Sequence, residues 1–213
     1  WCFGDNTWGQ RGPGGNHELA PSRVALAAHL RPVAVGAGAN HTCVVDVSGS
    51  VWCFGRNTET QLGSSSQIDL VEALPVQALS KQVSAGEAHS CAVTYDGRLY
   101  CFGQNSHGQV GSIQSALAAP YALPRFVGDT RARSIVAGYS KEGMPSTGHT
   151  CAVTTAAGLR CWGANGAHQL GAVTPGSLAS SPVNAMPSLL GHIRDVAIGD
   201  SRTCVIHDTE ALC

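Results

Sequence analysis

One cysteine-bounded pattern recurs through this chain and limits, more than any other feature, what it can fold into. His41-Thr42-Cys43 leads to Cys53-Phe54-Gly55, His89-Ser90-Cys91 to Cys101-Phe102-Gly103, His149-Thr150-Cys151 to Cys161-Trp162-Gly163, and Arg202-Thr203-Cys204 to Cys213. A second pattern follows the later cysteine: Gly55-x-Asn57…Gln61-Leu62-Gly63, Gly103-x-Asn105…Gln109-Val110-Gly111 and Gly163-x-Asn165…Gln169-Leu170-Gly171. The chain opens on the same element, Phe3-Gly4-x-Asn6…Gln10, with Arg11 in place of the Leu or Val. Small residues behind a valine precede each first cysteine, as in Val35-Gly36-Ala37-Gly38 and Val83-Ser84-Ala85-Gly86.

Cys2, Cys53, Cys101, Cys161 and Cys213 are 51, 48, 60 and 52 residues apart, the longest unit carrying an insertion over 139–148. A period near 50 with several short apolar runs per unit suits a four-stranded propeller blade. Helical repeats need apolar spacing of 3.6 residues over ten or more positions, and only Pro21–Leu30 and Ala116–Leu123 come near it. The expectation is an all-β propeller forming one domain over 1–213, with periods 2–53, 53–101, 101–161 and 161–213. Cys2 and Cys213 hold the same place in the repeat, so the chain reads as four periods from the interior of a longer polypeptide.

Between paired cysteines, Val44-Val45-Asp46-Val47-Ser48-Gly49-Ser50-Val51 and Ala92-Val93-Thr94-Tyr95-Asp96-Gly97-Arg98-Leu99 alternate around a polar, glycine-bearing tip. That is a hairpin signature, and the shorter last unit suits a two-residue turn at Asp208-Thr209. Cysteines 10, 10, 10 and 9 residues apart then lie opposite one another. The pairing expected is Cys43–Cys53, Cys91–Cys101, Cys151–Cys161 and Cys204–Cys213, each closure contributing roughly 2–3 kcal/mol. Four such staples point to an oxidising compartment, hence to an extracellular or cell-surface protein. Reduced core cysteines are the competing reading, but random ones would not recur at mirrored positions. A zinc site on His41-x-Cys43 lacks a Cys-x-x-Cys knuckle and meets Arg202 in the fourth unit, so no metal is expected.

The run His-Thr/Ser-Cys-x-Val…Cys-Trp/Phe-Gly-x-Asn…Gln-Leu-Gly resembles the repeat of the regulator-of-chromosome-condensation (RCC1-like) family. The resemblance covers nearly the whole chain and implies a seven-bladed propeller, of which this chain would supply about four blades. The paired cysteines look like a secreted or bacterial-type version of the repeat. The family includes a nucleotide exchange factor for a nuclear GTPase, a β-lactamase inhibitor and protein-binding modules, so the fold does not choose a function.

Gly55, Gly103 and Gly163 with Asn57, Asn105 and Asn165 read as turn formers. Phe3, Phe54, Phe102 and Trp162 should fill the gaps between blades, and His41, His89 and His149 should be packing hydrogen-bonders. No Ser-His-Asp set, carboxylate pair or phosphate loop stands out, so neither catalysis nor a cofactor is expected. A formal net charge of −1 leaves no footprint for nucleic acid, and no run approaches the length of a membrane span. Recognition is therefore sought in the non-repeated loops: Tyr139, Lys141, Glu142 and Met144 of the insertion, and the connection from Pro13 to Arg31. Asn40-His41-Thr42 is a glycosylation sequon, in keeping with secretion. Three functions follow: an extracellular protein-binding scaffold first, then a structural subunit whose partners are other subunits of a surface assembly, and a regulator (inhibitor or exchange factor) of an enzyme or GTPase.

Overall fold

Alternating apolar and polar residues on either side of each hairpin tip produce antiparallel strands with one dry face per period. The protein is described by a computed structural model that covers residues 1–12, 18–22, 24, 30–65, 72–74, 79–111, 121–139, 148–171, 178–186 and 192–213. Among these residues every regular element is a strand. The first sheet pairs β1 (Cys2–Gly4) with β2 (Glu18–Ser22). A complete four-stranded blade follows, β3 (Pro32–Ala37), β4 (His41–Asp46), β5 (Val51–Gly55) and β6 (Glu72–Leu74), paired in chain order. The second blade is β7 (Ser80–Ala85), β8 (His89–Thr94), β9 (Leu99–Gly103) and β10 (Tyr121–Phe126). The third is β11 (Ala132–Ala137), β12 (His149–Thr154), β13 (Leu159–Ala164) and β14 (Leu178–Asn184). A three-stranded sheet ends the description: β15 (Ile193–Gly199), β16 (Arg202–His207) and β17 (Glu210–Leu212).

The first strands β3, β7, β11 and β15 pack successively on one another and form the inner rim of a propeller arc. At Gly36 the approach of β3 to β7 is so close that a Cβ would lie 3.0 Å from the Ser84 Cα and the Val83 carbonyl oxygen. The second strands are covered on both faces: all six residues of β4 and of β8 are buried, the polar ends included.

The core is a series of layers between blades rather than one central mass. Cys43, Val45, Val51, Cys53 and Leu62 of the first blade close on Val83, Ala92 and Phe102 of the second. Cys91, Val93, Leu99, Cys101 and Val110 of the second close in the same way on Ile135, Ala152 and Trp162 of the third. The first and second blades thus each offer a cysteine pair and receive the aromatic of the next. Phe54, Phe102 and Trp162 are buried to 1% or less, whereas Phe3 is 72% exposed. Phe3 departs from the expectation that it fills a gap, because β1 pairs only with β2 and no other described blade stands against its ring. The blades also straddle the sequence periods, since each takes its outermost strand from beyond the second cysteine.

In the hairpins Cys43 faces Cys53, Cys91 faces Cys101 and Cys151 faces Cys161 across the ladder. Cα atoms are 4.1 Å apart in each of these pairs and in Cys204–Cys213, with the sulfurs within bonding reach. His207 faces Glu210 around the two-residue turn Asp208-Thr209.

Candidate functional sites on the two propeller faces

The Asn…Gln loops form one face of the arc, and the carboxamide oxygens of their repeated Asn and Gln residues are used internally. The Asn57 carboxamide oxygen accepts the Leu62 N–H at 3.0 Å, and the Gln61 carboxamide oxygen accepts the Glu59 N–H at 2.8 Å. Asn105 with Val110 and Gln109 with His107 repeat this, as do Asn165 with Leu170 and Gln169 with Ala167. These are side-chain caps of a turn, which is why Asn and Gln recur at fixed offsets. Gly103 begins such a loop at φ +102°, and a Cβ there would sit 2.6 Å from the Ala88 carbonyl oxygen.

Beneath this face runs a ladder of buried histidines. His41 Nε2 lies 2.8 Å from Ser90 Oγ, His89 Nε2 2.9 Å from Thr150 Oγ1, and His149 Nε2 2.8 Å from Thr203 Oγ1. Each hydroxyl donates its only proton to a carbonyl of the preceding loop: Ser90 to Gln61, Thr150 to Gln109 and Thr203 to Gln169. The hydroxyls can therefore only accept from the histidines, which fixes the Nε2–H tautomer. Burial holds the His41 ring well below its usual range, to about 4. It lowers His89 to about 3, with the neighbouring His41 and His149 adding to the effect. Neutral rings with their one N–H already donated to a structural hydroxyl are poorly placed for acid–base work. Among the described residues no group of His, Cys, Asp or Glu could hold a metal ion. A cavity of 440 Å³ beside β17 is lined largely by apolar side chains, including Leu159, Leu170, Met186, Val205 and Leu212, and corresponds to the junction space that aromatics fill between the other blades.

The opposite face is built from the hairpin tips and the entries to the first strands, tied by a continuous series of backbone hydrogen bonds. Val47 N–H donates to the Arg31 carbonyl at 2.9 Å, Ser80 N–H to Gly49 at 2.9 Å, and Tyr95 N–H to Leu79 at 3.0 Å. Ala132 N–H then donates to Gly97 at 2.8 Å and Thr155 N–H to Arg131 at 2.9 Å. Along this rigid arc Val47, Leu79 and Tyr95 are 64%, 64% and 69% exposed, a run of apolar side chains where hairpin tips are ordinarily polar. Beyond them a groove of 500 Å³ is lined by Arg131, Arg160, Thr154, Thr155, Asn184 and Asp129.

The residues singled out from sequence are not brought together. Tyr139 is 46% exposed at the end of the third inner strand's connection, while Lys141, Glu142 and Met144 lie outside the described residues. Of the connection from Pro13 to Arg31, the structure describes β2, Val24, Leu30 and Arg31. Asn40 is half-buried, and its carbonyl accepts the Arg56 N–H at 2.8 Å. Val47, Leu79 and Tyr95 were missed; for Val47 and Tyr95 the available signal was an apolar residue directly after the first strand of a cysteine hairpin, and Leu79, just before β7, carried none.

Comparison with known proteins decides what this arrangement is. Residues 33–61 and 81–109 match the regulator of chromosome condensation (RCC1) repeat, and 48–93 match a second description of the same repeat. This is an RCC1-like repeat protein. Over 80 residues it is 36% identical to Protein RCC2 of Mus musculus, a match covering 37% of this chain and 15% of that protein. The human WBSCR16 structure superposes with a TM-score of 0.84 at 23% identity, over 97% of this chain and 53% of that one. Prp20p from Saccharomyces cerevisiae, a protein described for its binding to Gsp1p and histones, superposes at 0.74 with 18% identity, over 97% and 48%. The RCC1-like chain thus spans about half of each solved propeller and a small part of RCC2, and at these identities the solved structures speak for the fold.

The extracellular placement is corrected by these relatives. RCC2 is among the curated proteins it matches, and Prp20p is described for its binding to histones, which are partners inside the cell. The inference failed because cysteine number was read as compartment. Six of the eight paired cysteines have no exposed surface and fill the dry layers between blades, a place that suits a small apolar side chain in any compartment. These relatives lend no support to secretion as the meaning of the Asn40 sequon or to a partnership in a cell-surface assembly.

Proposed function

We propose that this RCC1-like arc is a protein-binding element that regulates its partner, and that the partner is a GTPase. The observation that carries the reading is the hydrogen-bonded turn face bearing Val47, Leu79 and Tyr95, exposed apolar side chains on a scaffold that spends its buried polar groups on holding itself together. Support for the GTPase comes from the family: RCC1-like proteins include an exchange factor, and Prp20p is described with Gsp1p. Regulation by docking needs no catalytic side chain, in keeping with neutral histidines already engaged in blade packing. The propeller is taken as one domain over 1–213, with the four cysteine pairs closed as disulfides and the 139–148 insertion, Tyr139 included, as a second contact site.

The deciding experiment follows release of a fluorescent guanine nucleotide from purified small GTPases of the Gsp1p type, with and without the chain. The expected result is a changed release rate for one of them, together with a direct complex by gel filtration. Unchanged rates and no complex across the set would sink the GTPase reading. Intact mass after alkylation in denaturant, with and without prior reduction, tests the cysteine pairs: closed disulfides are expected to take up label only after reduction, and free thiols without it.

A further inference from the structure

The turn face is not only apolar. Arg31, Arg98, Arg131 and Arg160 are all exposed along its first three blades, against Asp96 and Asp129, while Asp208 and Glu210 are exposed at the last tip. Asp96 is already engaged, its carboxylate 3.3 Å from Arg98 Nε and hydrogen-bonded by the Thr94 hydroxyl. Arg131 adjoins the same hairpin, its Cβ lying 3.6 Å from where a Cβ of Gly97 would be. The formal charge of the whole chain is −1, so this excess of guanidinium is local. It continues directly from the apolar run: Leu79 and Tyr95 share a backbone hydrogen bond, Gly97 bonds Ala132, and Arg131 bonds Thr155 at the mouth of the groove.

We propose that the strip Val47–Leu79–Tyr95, with Arg98 at its edge, and the adjoining groove with Arg131 and Arg160 form one docking surface for a protein segment that carries carboxylates beside an apolar side chain. This rests on the protein-binding reading above and names the chemistry of the partner. Guanidinium forks take carboxylates in paired hydrogen bonds, and the Thr154 and Thr155 hydroxyls lining the groove add neutral donors. The apolar strip supplies the area that such polar contacts alone do not. A nucleic acid would use the arginines but has little use for three exposed apolar residues in a row, which favours protein. The hydrogen-bonded backbone means the surface is formed before the partner arrives, so little ordering opposes binding.

The test uses fluorescence anisotropy with four labelled probes: a synthetic peptide of glutamates flanking Leu-Phe, its lysine counterpart, the glutamate peptide with Ser-Ser in place of Leu-Phe, and an oligothymidylate. The glutamate–Leu-Phe peptide is expected to bind best, and Tyr95→Ser or the double change Arg131→Glu with Arg160→Glu should each weaken it about tenfold or more. All three positions are exposed, so the variants keep the thermal midpoint of the parent. Hydrogen exchange should show protection at 94–98 rather than in the Asn…Gln loops. Equal binding of acidic and basic peptides, no binding of any peptide, variants without effect, or a preference for the oligothymidylate would each overturn the proposal. The two readings separate cleanly: a GTPase response that survives both variants removes this docking surface and leaves the regulator, whereas peptide discrimination without any GTPase response does the reverse.

Discussion

Ala157 occupies the position that Gly49 and Gly97 hold in the other hairpins, and it takes φ +62° while Gly158 beside it does not. An L-residue pays about 1–2 kcal/mol for that conformation, part of which glycine returns as greater freedom of the unfolded chain. Ala157→Gly should therefore stabilise by about 0.5–1 kcal/mol, read as a rise in the urea midpoint at constant slope. Thr60 is a sharper case, β-branched at φ +56° with a buried hydroxyl that finds no partner among the described residues. Its counterpart Gly108 adopts φ +79°. Thr60→Gly should gain roughly 1–2 kcal/mol in the same measurement, since it relieves backbone strain and an unsatisfied group together. Gln169 tells the complementary story. Gln109 donates to Gln104 and Gln10 to Asp5, but the equivalent neighbour of Gln169 is Ala164, and its buried Nε2 finds no partner among the described residues. Ala164→Gln should supply the missing acceptor and add about 0.5–1.5 kcal/mol.

At the level of the strand pair, exposure should set the order in which the cysteines open. Cys43, Cys53, Cys91, Cys101, Cys151 and Cys161 are shielded, while Cys204 is half-buried and Cys213 exposed. With the pairs closed, graded reduction followed by alkylation and peptide mapping should label Cys204 and Cys213 first, because exchange needs a thiolate to reach the sulfur. The same elements show what a reader of the sequence could and could not see. The Cys43–Cys53 register was legible because hairpin partners are set by local spacing, and the Asn57 turn because its capping is local too. The outer strands β6, β10 and β14 were not, since they fall in the variable stretches and their pairing is decided by the edge they find. Nor was Gln82, whose side-chain amide donates to the Ile135 carbonyl and accepts its N–H, both at 3.1 Å, acting as a strand residue across two blades. The turn-face strip escaped because Val47, Leu79 and Tyr95 become neighbours only once two blades stand side by side.

For the molecule as a whole, the junctions carry the stability. Trp162 closes the layer between the second and third blades and donates its indole N–H to the Gln109 carbonyl at 2.9 Å. Trp162→Ala should cost about 3–5 kcal/mol by chemical denaturation, with the loss of exchange protection concentrated in those two blades. The histidine ladder predicts a common response to acid. His41 and His89 titrate at about 4 and about 3 in the fold and near 6.5 unfolded, so the unfolded chain binds protons first as the pH drops. Their contribution is complete above pH 6.5 and is lost as the pH falls through 4 towards 3. Urea midpoints should fall steadily over that window, and His89→Gln should flatten the slope.

The single proton on each ladder hydroxyl also governs which sequence changes this protein can survive. Ser90, Thr150 and Thr203 each accept from a histidine on one blade and give to a carbonyl of the loop above it. An alanine at any of them strands two partners at once, whereas an exchange between serine and threonine strands none. Over many generations these sites should drift freely between two letters of the alphabet and refuse the other eighteen, a far narrower licence than their small size suggests.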